Sequence, residues 1–190
     1  MVNNLKVGFT HESQASETRE WYTPPYIFKA LNLDFDMDVA SPGKDIVPWI
    51  PAAKHLTTAE NGLLTAWCGR IWLNPPYDSN ISSWLSKFIS YNGEGIMLIF
   101  SRTDTLWFHK YAIKADALLF CKGRISFIRG DKTSKVSSPG NGSLLLAKGE
   151  KCVDALKNSN LGFFHSNNLL SQFDLAGSSR KNEIFSFSKT

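Results

Sequence analysis

A short apolar run, residues 70–73, leads straight into Asn74-Pro75-Pro76-Tyr77. The run has the length and composition of a buried strand. Two prolines directly behind it cannot continue a ladder, and they stiffen the loop so that the flanking Asn and Tyr are held in fixed directions. Asn74 offers an amide oxygen, the Pro75 carbonyl a second acceptor, and Tyr77 an aromatic face. Together these suit an exocyclic amine on a planar base. Two acceptors on one amino group would draw its lone pair out of conjugation and aim it at an electrophile, while the ring stacks on Tyr77. A strand-terminating turn also uses Asn-Pro, so the tetrapeptide takes its meaning from its surroundings.

The elements that must position this loop alternate between helix and strand. Residues 24–31 read as a short helix with proline in its first turn. Residues 34–40 alternate, with Phe35, Met37 and Val39 on one side of a strand, and residues 44–58 form a long loop carrying two prolines. Ile81, Trp84, Leu85, Phe88 and Ile89 make the stripe of an amphipathic helix, with Asp78, Ser79 or Asn80 as its cap. Further strands are expected at residues 95–100, 117–121, 124–128 and 143–147, and helices at 105–114, capped by Thr103 or Asp104, and at 150–158. This predicts an α/β sheet, mixed and mostly parallel, covered by helices on both faces. In such a sheet ligands bind outside the carboxyl ends of the strands, where residues 74–77 would sit.

The 190 residues, 43% hydrophobic and 13% aromatic, suffice for one core. The expected division is a polar segment at 1–19, one domain at 20–164, and a tail or accessory element at 165–190. No apolar run is long enough to span a bilayer, and the polar start has no signal-peptide hydrophobic region, which places the chain in the cytoplasm. Cys68, Cys121 and Cys152 form no Cys-x-x-Cys pair and have no His at metal-ligand spacing, so neither a disulfide framework nor a metal site is expected. The four histidines are scattered, and no Gly-x-Ser-x-Gly is present. The net charge is +4, yet eight basic residues face three acids between residues 101 and 135. That concentration is the footprint expected for a polyanion, or else a solvated face of mixed charge.

The tetrapeptide looks like the catalytic motif of amino-methyltransferases. Around it stand Trp21-Tyr22-Thr23-Pro24-Pro25, Phe35-Asp36-Met37-Asp38-Val39-Ala40-Ser41-Pro42, and Asn61-Gly62-Leu63 with Trp67. Residues 101–108, 122–127 and 141–146 complete the series. In this order the blocks resemble the phage-type, Dam-like DNA N6-adenine methyltransferases over residues 20 to about 164.

That resemblance implies a single-domain, Rossmann-like class I methyltransferase fold. It implies S-adenosylmethionine as methyl donor, no metal, DNA as substrate, and a phage or prophage gene acting in a bacterial host's cytoplasm. Asn74, Pro75, Pro76 and Tyr77 become the catalytic loop. Tyr22, Thr23 and Pro24 would wrap the methionine end of the cofactor, unless Thr23 only caps the following helix. Asp38, Ala40 and Ser41 would form the first cofactor loop, with Asp38 accepting from the amino group. The Gly-x-Gly of many such loops is absent, only Gly43 following. Asn61, with Leu63 beside it, stands where the wider class often has an acid for the cofactor's adenine, or else caps a turn. Trp107 and Phe127 are either faces for a flipped base or core. Arg102, Lys122 and Arg124 would hold DNA phosphates. With no separate recognition domain, specificity is short and relaxed, or a homodimer or the tail contributes. Two rivals accompany this reading: methylation of another amine in RNA or protein, and a DNA-binding decoy that keeps the fold without catalysis.

Overall fold

Proline at the first helical position opens α1 (Pro25–Leu31), and Asn32, left-handed at φ 46°, closes it. The computed structural model describes residues 20–76, 80–130 and 140–167. Ahead of α1 lies β1 (Trp21–Tyr22); behind it come β2 (Phe35–Asp38), β3 (Ala52–His55), β4 (Ile71–Leu73), α2 (Ile81–Ser90) and β5 (Gly95–Phe100). The chain continues with α3 (Leu106–Lys110), a 3-10 turn at Ala112–Lys114, β6 (Ala117–Cys121), β7 (Ile128–Arg129), β8 (Ser143–Lys148), α4 (Glu150–Asn158) and β9 (Gly162–Ser166).

Seven strands form one sheet in the order β3-β2-β4-β5-β8-β6-β9, while β1 and β7 make a separate antiparallel ribbon. β3, β2, β4 and β5 are parallel neighbours. β8 runs antiparallel to both β5 and β6, and β9 antiparallel to β6. Five of the seven strands therefore share one direction, a mixed sheet as expected. The continuous apolar runs of β5 and β8 follow from burial on both faces. Ile96, Leu98, Leu145 and Ala147 pack with α1 and α4, whereas Met97, Ile99, Leu144 and Leu146 pack with α2 and α3.

Several elements differ from their sequence reading. Phe35 packs on the α1 side, but Met37 and Val39 pack on the α2 side. The amides of Asp36 and Met37 both reach the Arg70 carbonyl, at 2.7 and 3.3 Å, as in a bulge, which turns Phe35 to the opposite face. The expected loop at 44–58 contains β3, an edge strand whose Ala53 and Lys54 are exposed and leave no apolar signal. Of the expected strand at 124–128, Phe127 forms an isolated bridge and Ile128 opens β7, while residues 124–126 are irregular; Ile125 and Phe127 are buried two apart, which gives strand periodicity where most of the segment does not pair. The helix expected at 105–114 breaks into α3 and the 3-10 turn, with Thr105 rather than Thr103 or Asp104 at its N-cap position. Asn80 precedes α2 without a side-chain cap bond, and Asp78 and Ser79 lie outside the described residues. β9 crosses the expected boundary at 164. Among the described residues no helix is long and apolar enough to cross a membrane.

Phe127 itself is 1% exposed within the α1-side core, so it offers no face to a base. Phe127→Ala should lower unfolding free energy by about 3–5 kcal/mol, read from urea denaturation. An unchanged midpoint combined with loss of DNA binding would restore the stacking role.

Candidate active site

From β2 the sheet extends to β3 on one side and to β4 on the other. Loops leaving the carboxyl ends of β2 and β4 part in opposite directions and open a crevice between them. A cavity of about 460 Å³ fills it, within the range of roughly 300–1,000 Å³ usual for small-molecule sites. Its wall is built by residues 20–23, 38–42, 57–58, 61–63 and 74–76, with Trp72 and Trp84 beside them. Tyr22, Thr23, Asp38, Ala40, Ser41, Asn61 and Leu63 thus meet Asn74, Pro75 and Pro76 around one space. Pro24 does not join them; it is buried at the N-cap position of α1.

Thr23 does not cap that helix. Its hydroxyl is buried and has no protein partner, and the same holds for the indole N–H of Trp72. Two unmet polar groups in the wall of one cavity are the mark of a site awaiting polar atoms. The segment carrying Thr23 is pinned from behind, since Trp49 Nε1 donates to the Thr23 carbonyl at 2.9 Å. Tyr22 donates its hydroxyl to the Glu20 carboxylate, and burial followed by that bond pushes the phenol pKa up. Trp72 reads in sequence as strand core, so its place in the wall carries no sequence signal.

Asp38 ends β2 with its side chain 2% exposed. Burial pushes its carboxyl up to about 7, against the Ala40 amide and Ser41 hydroxyl, which hold it down. Beside it the Ser41 hydroxyl lies 2.8 Å from His55 Nδ1 and accepts from the Gly43 amide at 3.1 Å. His55 Nδ1 stands 3.7 Å from Asp38 Oδ2, and burial pushes the imidazole pKa down. Burial thus favours the neutral imidazole, and among the described residues Asp38 has no full counter-charge beside it.

Asn74 leaves β4 with its amide nitrogen donating to the Trp21 carbonyl at 2.8 Å. A carbonyl can accept only from the nitrogen end of the amide, so this bond fixes the side chain's orientation and turns Oδ1 the other way. Tyr77, the expected stacking face, lies outside the described residues. On the opposite wall Asn61 is left-handed at φ 51°, and its Oδ1 accepts from the Leu63 amide at 3.2 Å. The turn-capping role expected as an alternative is thus present, while the residue also lines the cavity. A Cβ on Gly62 would fall 1.8 Å from the Val39 carbonyl oxygen, so only glycine lets this loop reach the end of β2.

The residues expected at DNA lie outside this cavity. Arg102 and Lys122 are exposed just beyond the ends of β5 and β6. Both strands run in the direction of β4, so both residues leave the sheet at the same edge as Asn74. Arg124 is exposed, in an irregular stretch and not in the strand expected for it; Trp107 is half-buried against the α2-side core. Among the described residues no group of His, Cys, Asp and Glu could hold a metal ion.

No curated protein and no solved structure matches the chain. The family model described as DNA N-6-adenine-methyltransferase (Dam) matches residues 11–157, well over half of the sequence and every stretch that lines the cavity. The chain belongs to the DNA N-6-adenine-methyltransferase (Dam) family.

Proposed function

We propose that this chain transfers a methyl group from S-adenosylmethionine to N6 of adenine in DNA. The observation that carries the reading is the anchored Asn74 amide at the wall of the cavity that also holds Thr23 and Asp38. The donor set fits an amino acid joined to a nucleoside. Asp38 would accept from the cofactor's ammonium, the unmet Thr23 hydroxyl would meet its carboxylate, and the wall around Leu63 would receive the purine. When bound, the cofactor supplies an electrophilic methyl on a sulfonium that leaves as a neutral thioether.

What the protein adds is position and acceptors. Asn74 Oδ1 and the Pro75 carbonyl accept the two N6 hydrogens, pyramidalise the nitrogen and aim its lone pair at the methyl carbon. Tyr77 carries the base on its ring. The lone pair would attack before the proton leaves, so the site would need no general base, and the proton would pass to water afterwards. Reaching N6 requires the adenine to leave its stack, with the flanking phosphates gripped by Arg102, Lys122 and Arg124 at the carboxyl edge.

Asn74→Ala should cut transfer of labelled methyl from S-adenosylmethionine to adenine-containing DNA by about a hundredfold or more, with cofactor affinity kept. Near-normal transfer by that variant would sink the catalytic assignment. Wild-type protein that binds the cofactor but never labels DNA would sink the reaction.

The raised pKa of Asp38 sets a pH dependence. Its folded value lies near 7, above the ordinary 3.8. The stability it contributes is full below the ordinary value and is lost as pH rises through about 7. The ligand-free protein should lose stability over that interval while Asp38→Asn shows a flatter profile, read by thermal melts. Cofactor should raise the melting temperature more at about pH 8 than at about pH 6, because only the ionised carboxylate pairs with its ammonium.

Neutralising Arg102, Lys122 and Arg124 one at a time should weaken binding to every duplex alike. Each should lower the slope of log affinity against log salt by about one. Unchanged affinity when all three are neutralised would place the DNA surface elsewhere.

A further inference from the structure

Helix α2 begins behind the catalytic loop and, two turns in, sends Lys87 back to the opposite wall of the cavity. The ammonium donates to three backbone carbonyls, those of Gly62 and Leu63 at 2.9 Å each and Thr65 at 2.6 Å. It also lies 4.5 Å from the centroid of the Trp67 ring. Three donors therefore meet three acceptors and an aromatic face, which saturates the group. Trp67 in turn donates its indole N–H to the Gly62 carbonyl at 2.8 Å and stacks on Trp84, with ring centroids 6.4 Å apart. Burial pushes the Lys87 pKa down, the cost of holding a cation there.

Three carbonyl dipoles aimed at one point repel each other unless a cation stands between them. The segment they belong to has the left-handed Asn61 and the closely packed Gly62 at its start. The Leu64 and Thr65 amides, both donating to the Asn61 carbonyl at 2.9 and 3.0 Å, curl the segment, and among the described contacts the ammonium is what bonds its Leu63 and Thr65 carbonyls. We propose that Lys87 is a positioning residue for the cofactor: it holds residues 61–65 in the shape that receives the purine end of S-adenosylmethionine. Because its helix follows the catalytic loop directly, the same side chain ties the two walls of the site together. This inference rests on the functional reading above.

The test compares wild-type protein with Lys87→Met, which keeps the stem and removes charge and donors, and Lys87→Arg, which keeps the cation. Calorimetry with S-adenosylmethionine should show about tenfold or more weakening for Met, and partial recovery for Arg. KM for the cofactor should rise in step, while kcat at saturation stays within about threefold and duplex DNA affinity is unchanged. Should Met fold poorly, Lys87→Gln is read in the same way, since it has an uncharged amide in place of the ammonium. Equal cofactor affinity in wild type and variant, with only the melting temperature lowered, would overturn the proposal and leave Lys87 a purely structural residue. Failure of the wild-type protein to bind the cofactor would overturn the functional reading and this assignment together. It is distinguishable because it appears before any substitution is made.

Discussion

Parallel pairing of β2 with β4 sets where every residue of the site can be. The register places Met37 beside Ile71 and Asp38 beside Trp72, and the Val39 amide donates to the Trp72 carbonyl at 3.0 Å. A slip of one residue would exchange Trp72 and its neighbours between the two cores, because side chains alternate across a sheet. The entrance to β4 guards against that slip. Arg70 donates its amide to Asp36 Oδ2 at 2.6 Å and its guanidinium to the Asp34 carbonyl at 3.0 Å, and it pairs with Glu94 at 3.1 Å. As a half-exposed ion pair the Arg70–Glu94 contact adds little free energy. Its value is positional: one side chain fastens β4 to β2 and β5 at the same point, and Asp38 and Asn74 emerge together at the far end.

Placing a carboxylate there is costly, and the cost has a function. Asp38 is buried beside a neutral imidazole and a serine hydroxyl, so its ionised form lacks a full charge partner. Thr23 and Trp72 likewise bury polar groups that the protein leaves unmet. In a folded core such groups would be defects. Here they are gathered around one cavity, with the acid of Asp38 and the polar groups of Thr23 and Trp72 in its wall.

Much of this was legible in the sequence, for physical reasons that differ from part to part. Strands buried on both faces leave long apolar runs, so β5, β6 and β8 were visible, and α2 showed its amphipathic period. The double proline marked a strand end. Edge strands left no such trace: β3 is half solvent-exposed, and β9 alternates with Phe163 turned outward. Ile125 and Phe127 extended the apparent strand by burying side chains two apart, although residues 124–126 are irregular and Phe127 forms only an isolated bridge. Lys87 was invisible for another reason. Its partners are backbone carbonyls, which every residue has, so no pattern of side-chain types announces the contact. The bulge at Asp36 was hidden in the same way.

The Asn74 amide depends on a slender support. β1 is two residues long and pairs only with the two residues of β7, and an isolated ribbon of that size is marginal in water. Its hold is reinforced at each end. Gly130 donates to the Glu20 carbonyl at 3.0 Å, Arg129 lies 5.8 Å from the Trp21 ring centroid, and Trp49 fixes Thr23. Asn74 takes its orientation from the carbonyl of Trp21, in the middle of this ribbon. Any shift of β7 is therefore passed through a backbone pairing to the residue that orients the acceptor. Since β7 lies within the basic stretch at residues 101–135, the ribbon joins the segment expected to meet a polyanion to the amide expected to meet the base.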